Sequence, residues 1–221
     1  IHVESTEVAL ELCSFSKKAF LLAQKFWPGP LTIIGKRKTN IKISNLATAG
    51  LDTIAVRVPS DLIAQKLIKS VGVPIAAPSA NISGKLSCTT SDDIKEKLSD
   101  RIDGIILGSQ CELGLESTVL DCSGDNCSLM RLGSIPFEKI KDFLDEKKIN
   151  HFNPKGILKS PGQLLNHYSP DSKILLNERF PKSDDLYLGF GPQKNGVQGL
   201  NLSESGNLKE AAKNLFSHLH K

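Results

Sequence analysis

Residues 53–59 of the chain have the sequence TIAVRVP, and this stretch decides the fold class. Ile54, Val56 and Val58 alternate with other residues, which is the period-two pattern of a strand with one buried face. The pattern predicts a strand over residues 53–58 with Arg57 on its opposite face. A guanidinium in that position can bind a carboxylate through two parallel hydrogen bonds, but an ordinary surface ion pair fits the pattern equally well.

Helical patterns flank this strand on both sides. Apolar residues three and four apart over 6–26 predict one helix or two short ones, ended by the Pro-Gly-Pro of residues 28–30. Further helices are predicted over 61–69, over 91–98 with Thr90 as the cap, and after Pro136, and further strands over 31–34, 73–77, 104–107, 118–121 and 129–131. The alternation of strands and helices predicts an α/β domain.

The composition changes near residue 150. Residues 150–171 are rich in Pro and Gly and lack periodicity, which is typical of a linker. Beyond them, two strands are predicted over 173–176 and 186–190, followed by a helix that Asn207 caps. We therefore predict an α/β domain over 1–149, a linker over 150–171 and the start of a second α/β unit over 172–221.

Length, charge and cysteine content exclude several classes of protein. The 221 residues carry a net charge of only +4, which does not indicate a dedicated nucleic-acid binder. No apolar run approaches the roughly 20 residues of a membrane-spanning helix. The five cysteines form no CxxC pair, so we expect reduced thiols in a cytoplasmic protein. Because the chain starts at Ile1 and stops inside a helical pattern, we expect a fragment; a processed or naturally short chain is the alternative.

Polar residues at strand ends are the remaining candidates for a site, because the sequence contains no P-loop, dinucleotide fingerprint, zinc-protease or hydrolase motif. Residues 78–84, PSANISG, form either an anion-binding nest or a polar turn whose side chains bond their own backbone. Arg131 ends a predicted strand, where phosphate sites often lie, unless it is a plain surface arginine. His167 and Tyr168 in the predicted linker are either functional or a packing anchor.

Six motifs, in the same order, resemble the YrdC-like L-threonylcarbamoyladenylate synthase family in its two-domain form. They are KFWPGPLT (25–32), TIAVRVP (53–59), APSANISG (77–84), ESTVLD (116–121), MRLGSI (130–135) and the SPG…HYSP stretch of 160–170. The resemblance implies an α/β fold: a YrdC-like twisted mixed sheet with flanking helices as the catalytic domain, with its N-terminal part missing. The linker and an incomplete Rossmann-like α/β C-terminal domain would follow.

The resemblance also implies an activity, the formation of threonylcarbamoyl-AMP and pyrophosphate from L-threonine, bicarbonate and ATP, with Mg²⁺ accompanying the ATP. A tRNA-modifying threonylcarbamoyl transferase would take the product, and weak RNA contact is a further expectation. Such a reaction depends on positioning and charge stabilisation, which fits the lack of a nucleophile motif. By matching position, ATP contacts are implied for Ser79, Asn81, Ser87, Arg131, His167 and Tyr168, and threonine contacts for His2, Thr53, Arg57, Ala77 and Ser117.

Two departures from the family pattern modify these expectations. The family's KxR element lies upstream of Ile1 and is not in the chain, so we expect this fragment to bind ATP weakly. Leu132 stands where the family usually has proline, which affects the aim of Arg131. The alternative function is a non-catalytic module that binds double-stranded RNA, which the small net charge and the few aromatic residues disfavour.

Overall fold

The computed structural model describes residues 1–108, 111–145, 150–151, 172–178, 182, 184–192 and 199–220. The chain divides into two compact units: unit 1 consists of Ile1–Pro78 and Glu116–Leu164, and unit 2 of Ser79–Leu115 and Leu165–Lys221. Apart from residues 150–151, the predicted linker lies outside the described residues. The predicted domain bounds therefore stay a prediction.

Unit 1 is built on a mixed six-stranded sheet. Its strands are β1 (Cys13–Ser14), β2 (Leu31–Arg37), β3 (Thr53–Val56), β4 (Thr118–Asp121), β5 (Ser128–Arg131) and β6 (Asn150–His151). The central strand β2 pairs antiparallel with β1 and β3 and parallel with β4, whereas β4–β5 is antiparallel and β5–β6 is parallel. Parallel and antiparallel neighbours in one sheet, with helices beside it, confirm the predicted mixed α/β fold.

Six α-helices lie in the described residues, and those predicted to start after Thr90, at Pro136 and after Asn207 do so. They are α1 (Thr6–Leu12), α2 (Lys17–Phe26), α3 (Leu62–Val71), α4 (Ser91–Leu98), α5 (Phe137–Leu144) and α6 (Leu208–Leu219). Ser5, Ser16 and Asp61 each accept a backbone N–H in the first turn of α1, α2 and α3, which stabilises the helix start. Leu22 and Ile140 are fully buried in the core beneath the sheet residues Ile33 and Leu120.

Of the two alternatives for residues 6–26, the structure has two short helices, with β1 between them. The strand predicted over 31–34 continues to Arg37. Gly35 permits this continuation, because a Cβ there would lie 3.0 Å from the carbonyl oxygen of Ser14 and 3.1 Å from the Phe15 ring. The neighbouring strand therefore packs against β2 where a larger residue would hold it away.

Three predicted strands do not form in the described part of the chain. Residues 73–77 make a single bridge, from Ile75 to His2, because Pro74 lacks an N–H to donate to a ladder. Residues 104–107 and 173–176 lie outside any strand, and Leu107 and Leu176 are 67% and 82% exposed. An apolar run forms a strand only where a partner strand accepts its hydrogen bonds and one face is buried.

Unit 2 contains α4, α6 and a parallel pair of strands, β7 (Tyr187–Gly189) and β8 (Gly199–Asn201). Thr90 and Asp93 form the predicted capping box of α4, and Asn207 caps α6 as predicted. Gly114 contacts the backbone of α6, since a Cβ at that position would lie 2.5 Å from the carbonyl oxygen of Lys213. The segment that precedes β4 in the sequence thus packs on the last helix.

The expectation of reduced thiols is wrong for two of the five cysteines. Cys122 and Cys127 form a disulfide, with their Cα atoms 4.3 Å apart. They lie at the two ends of the short connection between β4 and β5, so the antiparallel hairpin brings them together although their spacing matches no common cysteine motif. Cys13, Cys88 and Cys111 are free.

Candidate functional site

His2 and Arg57 lie on neighbouring extended segments of unit 1. The backbone N–H of Arg57 donates to the carbonyl oxygen of Ile1 at 3.0 Å, and the N–H of His2 donates to that of Ile75 at 2.7 Å. Burial, followed by the charges of Arg57 and of the amino terminus, lowers the pKa of His2 to about 4. His2 is therefore a neutral imidazole at pH 7, with a ring nitrogen that can accept a hydrogen bond.

The guanidinium of Arg57 is held from one side only. Its Nε donates to the carbonyl oxygen of Gly29 at 2.9 Å, and the terminal nitrogens have no hydrogen-bond partner among the residues that the structure describes. Burial lowers the pKa of Arg57, and the charge of Arg131 lowers it further. Gly29 is required here, since a Cβ would lie 2.2 Å from the carbonyl oxygen of Phe26. The fixed Nε and the unpartnered terminal nitrogens suit the two-oxygen geometry of a carboxylate.

Arg131 is held much more completely. Its Nε and Nη2 donate to the carbonyl oxygen of Ser117 at 3.1 and 2.9 Å, and Nη2 also donates to Ser117 Oγ at 3.0 Å. Its Nη1 forms an ion pair with Glu116 at 2.6 Å, in which both side chains are under a fifth exposed. Leu132 is 67% exposed, so its side chain does not hold the guanidinium in place. The orientation of Arg131 is set by its bonds to Glu116 and Ser117.

The strand end that carries Ser117 is fixed by contacts with three further residues. Ser117 Oγ lies 2.7 Å from Thr32 Oγ1 on β2. Gly133 packs on the backbone of Ser117, where a Cβ would lie 2.4 Å from the carbonyl carbon of that residue. Ser134 donates from its backbone N–H and its hydroxyl to the carbonyl oxygen of Glu116, at 2.8 and 3.0 Å. The hydroxyl of Ser117 therefore has a fixed position before any ligand binds.

Thr53 and Ala77, the other two predicted threonine contacts of this region, do not lie next to Arg57 in the sequence. Thr53 is buried at the start of β3, paired with Lys36. Four residues of extended chain separate it from Arg57, which is about 13 Å. Ala77 is exposed, two residues after the bridge at Ile75. The structure thus brings His2 and Arg57 together, and Ser117 with Arg131, but places Thr53 at the far end of its strand.

The predicted ATP residues Ser79, Asn81 and Ser87 lie in unit 2. The amide nitrogen of Asn81 donates to the carbonyl oxygens of Ile82 and Lys85 at 2.8 and 2.9 Å, which is the polar-turn arrangement. Its Oδ1 is buried without a hydrogen-bond partner. Ser79 is exposed and Ser87 is 6% exposed. His167 and Tyr168 lie outside the described residues, so the ATP assignments stay predictions.

Sequence reasoning missed the roles of Thr32, Glu116 and Gly133. Glu116 opens a strand pattern, and β-propensity alone explains its neighbours. Thr32 and Ser117 are 85 positions apart, so no local pattern could pair them. Only Gly133 could have been recognised from the sequence, because a glycine beside a strand end often marks a close approach of two backbone segments.

Two features are absent from the part of the chain that the structure describes. No helix there is long and apolar enough to cross a membrane. No group of three His, Cys, Asp or Glu side chains in the same residues could hold a metal ion.

A mixed sheet with flanking helices, which carries two half-buried arginines and a neutral histidine, defines an α/β protein. A family model, Sua5_yciO_yrdC, described as telomere recombination, matches residues 1–133, and the model of the threonylcarbamoyl-AMP synthase C-terminal domain matches residues 135–221. The chain belongs to the Sua5–YciO–YrdC family, in its two-domain form.

Named relatives agree with this assignment. The chain is 38% identical over 182 residues to the threonylcarbamoyl-AMP synthase of Pyrococcus abyssi, covering 80% of this chain and 53% of the relative. It resembles the crystal structure of P. abyssi Sua5 complexed with L-threonine, with a TM-score of 0.82 and 31% identity over 99% of this chain and 69% of that one.

A second P. abyssi Sua5 structure, in which an adjacent His and Tyr are replaced by alanine, has a TM-score of 0.80 and 29% identity over 99% and 68% of the two chains. The chain spans about half the length of the curated relatives it matches. None of these comparisons supports the double-stranded RNA-binding alternative.

Proposed function

We propose that the protein forms threonylcarbamoyl-AMP and pyrophosphate from L-threonine, bicarbonate and ATP. The guanidinium of Arg57 is the observation that carries this proposal. It is half-buried, its terminal nitrogens lack partners in the described part of the chain, and Arg131 is close enough to lower its pKa. A guanidinium withdrawn from water, with no described carboxylate paired to it, favours an anionic ligand. The relative with bound L-threonine supports the carboxylate of an α-amino acid as that anion.

The threonine site of the proposal is the His2–Arg57–Ser117 region of unit 1. Arg57 binds the carboxylate with its terminal nitrogens. The neutral imidazole of His2 accepts a hydrogen bond from the ammonium or hydroxyl group of the substrate. Ala77 and Thr53 belong to the proposal by their match to the family motifs alone.

The nucleotide residues of the proposal are Ser79, Asn81, Ser87, Arg131 and the pair His167–Tyr168. The unpartnered Oδ1 of Asn81 is an acceptor suited to an amino group. Arg131 uses four of its five N–H donors on Glu116 and Ser117, which leaves one donor for a phosphate oxygen. The P. abyssi Sua5 variant has an adjacent His and Tyr replaced by alanine, and this chain has an adjacent His and Tyr at positions 167 and 168.

The proposed reaction has two balanced steps. The threonine amine adds to the carbon of bicarbonate, water leaves, and a carbamate forms. A carbamate oxygen then attacks the α-phosphorus of ATP, the bond from that phosphorus to the bridging oxygen breaks, and pyrophosphate leaves. Arg57 holds the substrate by its carboxylate, so that the amine is oriented, and positioning of this kind can account for much of the rate.

Mg²⁺ is proposed to enter bound to the ATP phosphates, whose charge it neutralises. A tRNA-modifying threonylcarbamoyl transferase is proposed to take the product. A cytoplasmic location and weak contact with RNA belong to the same proposal, as expectations from the reaction class.

Pyrophosphate release by the whole protein tests the proposal, with L-threonine, bicarbonate and ATP omitted in turn. We expect release only when all three are present, and mass spectrometry should find threonylcarbamoyl-AMP in equal amount. The variant Arg101→Ala, which alters an exposed arginine 3.9 Å from Asp100, is the matched control and should act as wild type. Release that does not require threonine would contradict the proposal.

A further inference from the structure

Thr32 lies between Arg57 and Ser117 on the sheet. In the β2–β3 register Ile33 pairs with Val56 and Ile34 with Ala55, and Thr32 and Arg57 are the next residues along the two chains. Neighbouring strands are about 4.8 Å apart, and opposed residues point to the same face. On the other edge of β2, Thr32 pairs with Val119, two residues after Ser117. The three polar side chains therefore share one face of three adjacent strands.

The apolar residues next to them define the same face. Ile34, Ala55 and Val119 pack together in a small cluster, one alternation along their strands from Thr32, Arg57 and Ser117. The cluster forms an apolar border to the polar triplet. Such a border excludes water from one side of a bound ligand and strengthens each hydrogen bond made there.

The hydroxyl groups form a chain that begins at Arg131. Nη2 of Arg131 can only donate, so Ser117 Oγ accepts that bond at 3.0 Å. An O–H that accepts from a cation becomes a better donor, which favours donation from Ser117 to Thr32 across the 2.7 Å contact. In this arrangement the hydroxyl of Thr32 accepts from Ser117, and its own proton has no acceptor among the described residues.

The exposure of the two hydroxyl groups agrees with this direction of the hydrogen bonds, from Ser117 to Thr32. Ser117 is 6% exposed, whereas Thr32 is only half-buried. The end that a ligand can reach is therefore Thr32. The segment that carries Arg57 follows the neighbouring strand β3, and the terminal nitrogens of Arg57 also lack partners in the described residues.

We infer that Thr32 is a substrate-binding residue, whose hydroxyl donates a hydrogen bond to the carboxylate that Arg57 binds. The inference rests on the proposed function, since that carboxylate belongs to L-threonine. One oxygen of the carboxylate accepts from Arg57 and the other from Arg57 and Thr32, within the lone-pair capacity of the group. Arg131 and Ser117 thereby orient the Thr32 hydroxyl for this bond.

Titration calorimetry of the whole protein with L-threonine tests the inference, using Thr32→Val and Thr32→Ser. Valine keeps the shape and the β-branch but removes the hydroxyl, whereas serine keeps the hydroxyl. Losing a hydrogen bond to a charged group weakens binding roughly tenfold to a hundredfold. We expect that loss for Thr32→Val and an affinity within about threefold of wild type for Thr32→Ser. Thermal unfolding checks that Thr32→Val, in which the buried Ser117 hydroxyl loses its acceptor, is still folded at the temperature of the titration.

The kinetic readout separates this role from a structural one. Thr32→Val should raise KM for threonine by the same factor and leave KM for ATP unchanged. Equal threonine affinity in wild type and Thr32→Val would overturn the inference, as would an equal loss in Thr32→Val and Thr32→Ser. Failure of the proposed function is distinguishable: wild-type protein would bind threonine, with the same dependence on Thr32, yet release no pyrophosphate. Wild-type protein that does not bind threonine would overturn both.

Discussion

The strand-end site of unit 1 and the Ser79–Ser87 loop of unit 2 are held in different ways. In unit 1, Arg57 bonds to Gly29, Ser117 to Thr32 and Arg131 to Ser117, across 28, 85 and 14 positions. In the loop, Asn81 bonds to carbonyl oxygens one and four positions away. Long-range bonds between strands fix a side chain through the core, whereas local bonds fix only the turn itself. We expect the threonine site to be prepared before binding and the loop to change its local bonds when it binds ATP.

The largest expected effect is that of Arg57→Ala on threonine binding. Removing a charge-assisted, two-point contact should raise the KM for threonine on the order of a hundredfold, with little change in the KM for ATP. Steady-state kinetics of the whole protein measure both constants. Arg101→Ala serves as the control, and an unchanged threonine dependence in Arg57→Ala would remove this arginine from the site.

The next effect concerns the close approach at Gly133. Gly133→Ala should destabilise the protein by about 3 kcal/mol, because the added Cβ would lie 2.4–2.5 Å from the backbone of residues 116–118. Denaturant unfolding measures the loss. Gly124→Ala is the matched control, since a Cβ there meets nothing within 4 Å, and both variants unfolding alike would show that the approach at Gly133 is not tight.

The pH dependence of stability tests the burial of His2. Its pKa of about 4 in the folded protein lies below the ordinary 6.5, so the unfolded chain binds the proton more readily between these values. The stability that His2 contributes is complete above pH 6.5 and is lost as the pH falls towards 4. The loss should reach about 2 kcal/mol at pH 5, relative to pH 7.5. The unfolding free energy of His2→Gln should lack this dependence on pH. The same pH dependence in both proteins would show that the imidazole of His2 is exposed to solvent.

The smallest of these effects is expected in the loop. Replacing both Ser79 and Asn81 by alanine should weaken ATP binding roughly tenfold and leave the melting temperature nearly unchanged, because the bonds of Asn81 are local and exposed. Calorimetry and thermal unfolding measure the two quantities. A large loss of stability with normal ATP affinity would favour the polar turn as the whole role of this loop.

The comparison of the two units also explains what the sequence could predict. Strands such as Thr118–Asp121 and caps such as Thr90 follow from local patterns, and the structure confirms them. Arg57 was found because a charged residue interrupts an alternating strand. Thr32 was not found, since its role depends on a partner 85 positions away. The disulfide of Cys122 and Cys127 was missed for a similar reason, because it depends on the hairpin that joins their strands.

Binding of L-threonine and L-threoninamide to the whole protein tests most directly whether Arg57 binds a carboxylate. The amide has nearly the same shape but lacks the negative charge. We expect wild-type protein to bind threonine at least roughly tenfold more tightly than threoninamide, and Arg57→Ala to lose most of that preference. Equal binding of the two ligands by wild-type protein, or an undiminished preference in Arg57→Ala, would contradict the assignment of Arg57 to the threonine carboxylate.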